Sequence, residues 1–305
     1  MHICMVLLFL SMADNAPIGI FDSGYGGLTV LKEIVKLLPQ YDYLYLGDNA
    51  RAPYGPRSFE TVYQYTLQSV QWFFKQNCSL VILACNTASA KALRSIQQNN
   101  LPHIAPDKRV LGVIRPTTER IGELTKTGKV GVLGTNGTVK SQSYLIEIKK
   151  FYPGVQVFQE ACPMWVPLIE NNEYENEGAD FFIRKNLENL MKRSDKIDTV
   201  LLACTHYPLI KDKIETFLPA DTTVISQGNI VAVSLADYLT RHPELENKCS
   251  RNGNVFFYTT DSTADFDRHG SIFYGRALQS RHVNLEEAPA LKEKREVDNH
   301  HSESG

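Results

Sequence analysis

Short apolar runs alternate with segments of helical periodicity along most of the chain. Nine runs bounded by turn-forming residues predict strands: PIGIFDS from Pro17, YDYLYLGD from Tyr41, SLVILACN from Ser79, RVLGVI from Arg109, KVGVLGT from Lys129, VQVFQEAC from Val155, DTVLLACTH from Asp198, TTVIS from Thr222 and NVFFYTT from Asn254. Between strands, segments such as residues 28–38 space their apolar side chains as one face of a helix, and Pro39 ends that segment. Strands that alternate with helices predict parallel sheets covered by helices on both faces.

The number of strands predicts two lobes rather than one sheet. The strand pattern restarts after Ile114-Arg115-Pro116, and an internal echo connects residues 80–88 (LVILACNTA) with residues 200–207 (VLLACTHY). Each echoed segment is an apolar strand that ends in Ala-Cys. We therefore predict an α/β fold of two doubly wound parallel-sheet lobes that face each other across an active-site cleft.

The boundaries of the lobes follow from the same pattern. The first lobe is predicted to comprise residues 16–113 and 220–285, and the second lobe residues 114–219. Residues 1–15 form an apolar amino-terminal extension, which is too short to span a bilayer because spanning takes about 20 apolar residues. Residues 286–305 have no aromatic side chains and little apolar surface, so a disordered tail is expected there.

Charge and cysteine content limit the kinds of partner and the kinds of site that the chain is expected to have. Lys and Arg total 32 against 34 Asp and Glu, which gives a formal net charge of -2. This balance provides no global basic surface, so we predict a small-molecule substrate and neither nucleic acid nor membrane as partner. The six cysteines form no CxxC pair or other metal-ligand spacing, which indicates reduced thiols in the cytoplasm and no metal site.

Two of the cysteines stand at the ends of the echoed strands. Cys85 and Cys204 would meet in one cleft, because ligands bind beyond the carboxyl ends of parallel strands. The start of a helix after Cys85 is expected to lower the pKa of its thiol, and His206 is a candidate proton acceptor for Cys204. Buried structural cysteines, a zinc site of Cys85, Cys204 and His206, and a thiol redox protein remain alternatives. The other cysteines are given no role: Cys4, Cys78, Cys162 and Cys249.

Three turns next to predicted strands offer groups that could hold an anion. Asp22 and Ser23 precede a glycine-rich turn, where backbone N–H groups can approach a ligand closely, although such residues more often cap a helix. Tyr54 and Gly55 lie in a loop after the second strand. The turn at residues 134–138 (GTNGT) offers hydroxyl and N–H donors in the second lobe.

Together these motifs resemble the glutamate racemases of the aspartate/glutamate racemase superfamily. The resemblance rests on four motifs that occur in order: Asp22-Ser23-Gly24-Tyr25-Gly26-Gly27, Pro53-Tyr54-Gly55, Cys85-Asn86-Thr87-Ala88 and Cys204-Thr205-His206-Tyr207-Pro208. It implies an isomerase that interconverts L- and D-glutamate without a cofactor. It also implies a cytoplasmic homodimer that supplies D-glutamate for peptidoglycan synthesis.

The resemblance also implies roles for individual residues. Cys85, assisted by Asp22, would deprotonate the D isomer, and Cys204, assisted by His206, would deprotonate the L isomer. The substrate would be bound by eight residues: Asp22, Ser23, Tyr54, Gly55, Asn86, Thr87, Thr205 and His206. Removing an α-proton and returning it on the opposite face requires two acid/base groups, and two facing thiols meet that demand.

Other functions stay open from the sequence alone. An aspartate racemase or a broad amino-acid racemase would use the same thiols with a different side-chain pocket. A non-catalytic amino-acid-binding protein of periplasmic type would also have two α/β lobes around a cleft, but the cysteines would have no purpose there. At Arg115-Pro116-Thr117 and Ser226-Gln227-Gly228 the chain departs from the usual motifs of the family that it resembles. The sequence therefore does not determine the hinge between the lobes.

Overall fold

A computed structural model describes residues 16–285 of the chain. Its strands are β1 (Ile18–Asp22), β2 (Tyr43–Gly47), β3 (Leu80–Leu83), β4 (Arg109–Gly112), β5 (Lys129–Gly134), β6 (Gln156–Ala161), β7 (Thr199–Ala203), β8 (Thr223–Ile225), β9 (Val255–Thr259) and β10 (Ser280–His282). Each of the nine apolar runs forms a strand. The strand β10 was not predicted, because its three residues, Ser-Arg-His, contain no apolar side chain that marks a buried strand.

The strands form two parallel sheets. The first sheet has six strands in the order β10-β9-β2-β1-β3-β4, and the second has four in the order β6-β5-β7-β8. All pairings are parallel, as expected when helices connect successive strands. The prediction of two parallel-sheet α/β lobes is therefore confirmed.

Helices connect the strands and cover both sheets. They are α1 (Leu28–Leu37), α2 (Phe59–Lys75), α3 (Asn86–Lys91), α4 (Leu93–Ser95), α5 (Leu101–Ile104), α6 (Ile114–Thr118), α7 (Ile121–Leu124), α8 (Asn136–Ser141), α9 (Ser143–Phe151), α10 (Trp165–Glu170), α11 (Glu177–Met191), α12 (Lys211–Thr216), α13 (Gly228–Arg241), α14 (Pro243–Glu246) and α15 (Thr263–Tyr274). Short 3₁₀ segments lie at Asn49–Arg51 and Tyr207–Ile210, and a π-helical segment lies at Ile96–Asn100.

The helix α1 shows how the apolar pattern determines packing. Its buried side chains, Leu28, Leu31 and Ile34 among them, recur at helical spacing and face the interior. Burying each such side chain contributes about 1.5–3 kcal/mol. The opposite side of the sequence pattern is polar, so α1 is a surface helix of the first lobe that packs against α13.

The chain passes between the lobes twice. It leaves the first sheet after β4 and returns to the first lobe at α13. The strand β8 pairs with β7 in the second sheet, so that sheet extends to Ile225, beyond the lobe boundary predicted at residue 219. The apolar run at β8 predicts a strand but does not specify its sheet, since pairing depends on where the chain crosses.

The lobes share a buried apolar core. The largest cluster of buried side chains includes Leu28 of the first lobe and Leu187 of the second. This shared core fixes the relative position of the two sheets. Within residues 16–285, no helix is long and apolar enough to cross a membrane. The predictions for residues 1–15 and 286–305 lie outside the described residues.

Candidate active site

The two strand-end cysteines line one cavity between the lobes. Cys85 follows β3 and is 5% exposed as a residue, and Cys204 follows β7 and is 6% exposed. The cavity has a volume of about 150 Å³ and is lined by residues of both lobes. Two larger cavities, of about 440 and 710 Å³, are lined by other residues. The structure thus brings together the pair of thiols that the echoed strands singled out.

Cys85 is held at the amino end of α3. Its Sγ accepts a hydrogen bond from the Ala88 backbone N–H at 3.4 Å and lies 3.5 Å from Ser23 Oγ. Burial, followed by the charge of Asp22, raises the pKa of the Cys85 thiol to about 12. The lowered pKa expected from the helix start is therefore wrong. The single N–H contact at the helix start is outweighed by the loss of hydration and a nearby carboxylate.

Cys204 is paired with an imidazole. His206 Nδ1 lies 3.9 Å from Cys204 Sγ, and His206 Nε2 lies 2.9 Å from Glu170 Oε1. Burial alone would lower the pKa of His206, but the hydrogen bonds and charges of Cys204 and Glu170 raise it to about 10. When Cys204 is a thiolate, the ring is therefore an imidazolium at neutral pH, and it donates one N–H to the Cys204 sulfur and the other to the Glu170 carboxylate.

Asp22 lies behind the cavity wall at the end of β1. Its carboxylate is fully buried, with Oδ1 accepting from the Gly24 N–H at 2.9 Å and Oδ2 accepting from Thr205 Oγ1 at 3.3 Å. Burial raises the pKa of Asp22, and the positive charge of His206 opposes this increase. Asp22 does not line the cavity. Its strand position encloses it completely, so it acts on the cavity through its charge and through Thr205.

The other predicted binding residues surround the cavity. The lining includes all seven of them: Ser23, Tyr54, Gly55, Asn86, Thr87, Thr205 and His206. Thr87 Oγ1 lies 2.9 Å from Thr135 Oγ1, which connects α3 of the first lobe with the turn after β5 of the second. The Tyr54 hydroxyl donates to the buried carboxylate of Asp48. Apart from the His206 ring, these residues offer neutral hydrogen-bonding groups.

Glycine is required where the two halves of the site meet. A Cβ atom on Gly26 would overlap Thr205 Oγ1 and would lie 2.5 Å from His206 Nδ1. The glycine-rich turn after β1 therefore packs directly against the His206 segment of the other lobe. The sequence interpretation assigned these glycines to anion binding, whereas at Gly26 the close neighbour is the imidazole itself.

The sequence analysis did not assign two titratable residues of the cavity lining, Glu170 and Cys162, to the site. Glu170 ends α10, 36 positions from its partner His206, and no local motif connects them. Cys162 follows Ala161 at the end of β6, and burial raises the pKa of its thiol well above the usual value. Its signal was present, because Ala161-Cys162 repeats the Ala-Cys strand ending of Cys85 and Cys204. Within residues 16–285, no group of three His, Cys, Asp or Glu side chains is arranged to hold a metal ion.

Comparison with known proteins identifies the family of the chain. Residues 18–235 match the model of the Asp/Glu/Hydantoin racemase family. The chain is 43% identical to a glutamate racemase of Geobacter metallireducens over 262 residues, which cover 86% of this chain and 93% of that protein. It is 39% identical to a glutamate racemase of Levilactobacillus brevis over 275 residues, which cover 89% of this chain and 96% of that protein.

Solved structures agree with the sequence comparisons. The glutamate racemase isoform RacE1 of Bacillus anthracis superposes with a TM-score of 0.80 at 34% identity, covering 88% of this chain and 98% of that one. A Francisella tularensis glutamate racemase in complex with D-glutamate superposes with a TM-score of 0.79 at 32% identity, covering 90% and 99%. From its fold, its paired strand-end cysteines and these relatives, the chain belongs to the Asp/Glu/Hydantoin racemase family.

Proposed function

We propose that the protein is a glutamate racemase that interconverts L- and D-glutamate with two cysteines and no cofactor. The observation that carries the proposal is that Cys85 and Cys204, from different lobes, line the same cavity of about 150 Å³. A pocket of this size is below the 300–1,000 Å³ typical of sites for drug-sized ligands, so it suits a small metabolite. The relatives named glutamate racemase support the choice of substrate.

In the proposed reaction, the α-proton leaves one face of the substrate and a different proton arrives on the other. When L-glutamate reacts, the Cys204 thiolate takes the α-proton and becomes a thiol, and the Cys85 thiol donates its proton to the opposite face and becomes a thiolate. When D-glutamate reacts, Cys85 is the base and Cys204 the acid. Exchange with solvent resets the two thiols between turnovers. Each direction therefore needs one thiolate and one thiol.

The neighbours of each thiol suit this exchange. The His206 imidazolium, 3.9 Å from Cys204 Sγ, places a positive charge where a thiolate must form. Among residues 16–285 no such cation lies beside Cys85, and burial together with the charge of Asp22 holds the proton on its thiol. The α-ammonium group of a bound amino acid would supply the missing positive charge. Asp22 is thereby proposed to assist Cys85, and His206 to assist Cys204.

The substrate carboxylates are proposed to be bound by neutral donors. Six lining residues could contribute neutral donors, with the His206 ring as a seventh, cationic donor and Asp22 behind the wall: Ser23, Tyr54, Gly55, Asn86, Thr87 and Thr205. In a small cavity with little water, such fixed donors stabilise a developing carbanion and its delocalised carboxylate more strongly than water does. This arrangement is consistent with a chain whose formal net charge is -2.

The cellular role is proposed from the same family pattern. We infer that the protein acts in the cytoplasm as a homodimer and supplies D-glutamate for peptidoglycan synthesis. The reduced state of the cysteines supports the compartment, since the five cysteines among the described residues are all free.

The proposed substrate is tested by comparing initial rates on the enantiomers of glutamate and aspartate. The purified protein is assayed without added pyridoxal phosphate or metal. Circular dichroism follows the change in the signal of the amino-acid substrate as its enantiomers interconvert. We expect kcat/KM for glutamate to exceed that for aspartate by at least about 100-fold, since a site built for a second carboxylate at one chain length misplaces a shorter one. Equal rates would favour a broad amino-acid racemase, and no turnover of either would overturn the proposal.

A further inference from the structure

Asn86, Tyr144 and Gln227 form a closed ring of hydrogen bonds beside the cavity. The Tyr144 hydroxyl donates to Asn86 Oδ1 at 2.5 Å, and Asn86 Nδ2 donates to Gln227 Oε1 at 2.7 Å. Gln227 Nε2 closes the ring by donating to the Tyr144 hydroxyl at 2.8 Å. The three side chains, here called the amide ring, are 2%, 0% and 4% exposed as residues, in that order. Water therefore does not compete for these bonds.

The amide ring fixes which way the Asn86 amide points. Each member donates to the next, so the donors and acceptors match all the way around. Rotating the Asn86 amide by 180° would place its oxygen against Gln227 Oε1 and its NH₂ group against the Tyr144 hydroxyl. Two acceptors would then face each other in a buried site, and a buried mismatch of this kind costs about 1–3 kcal/mol.

Both lobes and both interlobe crossings contribute to the amide ring. Asn86 begins α3 in the first lobe, and Tyr144 belongs to α9 in the second. Gln227 lies where the chain returns to the first lobe, and its Nε2 also contacts Thr117 Oγ1 at 2.9 Å near the other crossing.

One donor of Asn86 remains available to the cavity. The amide nitrogen of Asn86 has two N–H groups, and among the described residues only Gln227 is bonded to it. Asn86 lines the cavity, whereas Tyr144 and Gln227 do not. Any influence of Tyr144 or Gln227 on a bound ligand must therefore pass through Asn86.

We propose that Tyr144 and Gln227 are positioning residues that orient the second N–H of Asn86 toward a carboxylate oxygen of the substrate. The proposal rests on the glutamate racemase function above. It assigns these residues a role in substrate binding, and none in proton transfer, since neither is among the groups that contact the two thiols. The binding donor is also correctly aimed only when both lobes are in place.

The test removes one hydroxyl from the amide ring. Tyr144→Phe keeps the aromatic ring of the side chain and deletes the hydroxyl that, within residues 16–285, is the only donor to Asn86 Oδ1. We expect KM for both enantiomers of glutamate to rise about tenfold, with kcat within about threefold of wild type, because a mis-aimed donor weakens a hydrogen bond to a charged group. The pH profile should not move. Tyr152→Phe is the matched control, since its hydroxyl donates to the Glu119 carbonyl outside the cavity.

A double-mutant cycle with Asn86→Ala separates positioning from general structural damage. If Tyr144 acts through Asn86, Tyr144→Phe should have no further effect on KM in the Asn86→Ala background. Should Tyr144→Phe fail to fold, Gln227→Met, which deletes the acceptor for Asn86 Nδ2, takes its place in the same cycle with the same expectation.

Each outcome supports or overturns the proposal. A KM for Tyr144→Phe within twofold of wild type overturns it, and so does a tenfold effect that persists in the Asn86→Ala background. If the wild type racemises glutamate and Tyr144→Phe has the wild-type KM, this inference fails and the proposed function stands. A wild type that does not racemise glutamate removes the proposed function and this inference together.

Discussion

The surroundings of His206 raise its pKa well above the ordinary value of 6.5. It lies between a thiol and a carboxylate, and the two partners hold its pKa near 10 in spite of its burial. Cys85, in contrast, has a thiol pKa raised to about 12 because of its burial and, after that, the negative charge of Asp22. The two thiols are therefore not equivalent, although the sequence echo makes them look alike. The difference arises because Cys85 lies near Asp22, which is distant in the chain, whereas Cys204 lies beside His206, two residues further along.

The two thiols should each be required for racemisation. We expect Cys85→Ala and Cys204→Ala to lower kcat at least about 10³-fold on both enantiomers, within the 10²–10⁴ range of a general acid or base. Cys249→Ala is the control, because Cys249 is buried to a similar degree but does not line the cavity. Racemisation at the wild-type rate in either cavity variant would show that its thiol is dispensable.

The raised pKa of His206 predicts an alkaline limit to activity. The imidazolium is present at neutral pH and is lost as pH rises through about 10, so kcat/KM should fall with an apparent pKa near that value. Because the folded-state pKa is raised above 6.5, its stabilisation of the fold is complete below pH 6.5 and is lost between 6.5 and 10.

A pH series of kcat/KM and of urea unfolding measures both effects. Glu170→Gln should move the alkaline limit to lower pH, since it removes one of the two groups that raise the pKa. His206→Asn should abolish the limit. A wild-type profile that is flat to pH 11 would be inconsistent with the assigned charge on His206.

At the scale of secondary structure, the turn between β1 and α1 brings the first-lobe part of the site into contact with Thr205 and His206 of the second lobe. Because a side chain at Gly26 would press on Thr205 and His206, the length and composition of this turn determine where the imidazole lies relative to Cys204. The same turn positions Asp22, whose Oδ1 accepts from the Gly24 N–H.

Gly26→Ala should disturb catalysis more than stability. We expect the added methyl group to displace the imidazole and to lower kcat about 100-fold, the scale of effect produced by a displacement of about 1 Å. Gly154→Ala is the matched control, because a Cβ atom there meets nothing within 4 Å. The measurement is kcat on L-glutamate together with the thermal midpoint. Unchanged kcat in a folded Gly26→Ala protein would contradict the packing argument.

The elements that the sequence predicted share one property, a local apolar pattern. All nine predicted strands formed because each lies in a mainly apolar run bounded by turn-forming residues, a pattern that is visible without knowledge of its partners. The strand β10 had no such run, and the sheet that receives β8 depends on chain crossings rather than on local pattern. Among site residues, strand-end cysteines were visible locally. Glu170 was not, because a carboxylate at a helix end gives no sign of an imidazole 36 residues away.

At the scale of the whole molecule, each lobe contributes one of the two proposed catalytic thiols, and the shared core joins the lobes. Cys85 comes from the first sheet and Cys204 from the second, while the buried cluster that includes Leu28 and Leu187 joins the lobes. Contacts such as Thr87 with Thr135 connect the lobes directly beside the cavity. The proposal of two bases on opposite sides of a substrate therefore rests on the arrangement of the two lobes.

The central claim is that two different groups exchange protons with opposite faces of the substrate. Its most direct test is the α-deuterium content of the first product formed in D₂O, measured by mass spectrometry from each enantiomer in turn. The account predicts that product formed from L-glutamate and from D-glutamate carries deuterium, while unconverted substrate still carries protium at early conversion. Product that retains the α-proton of its substrate in either direction would contradict the account, because a single base would then have returned the proton it removed.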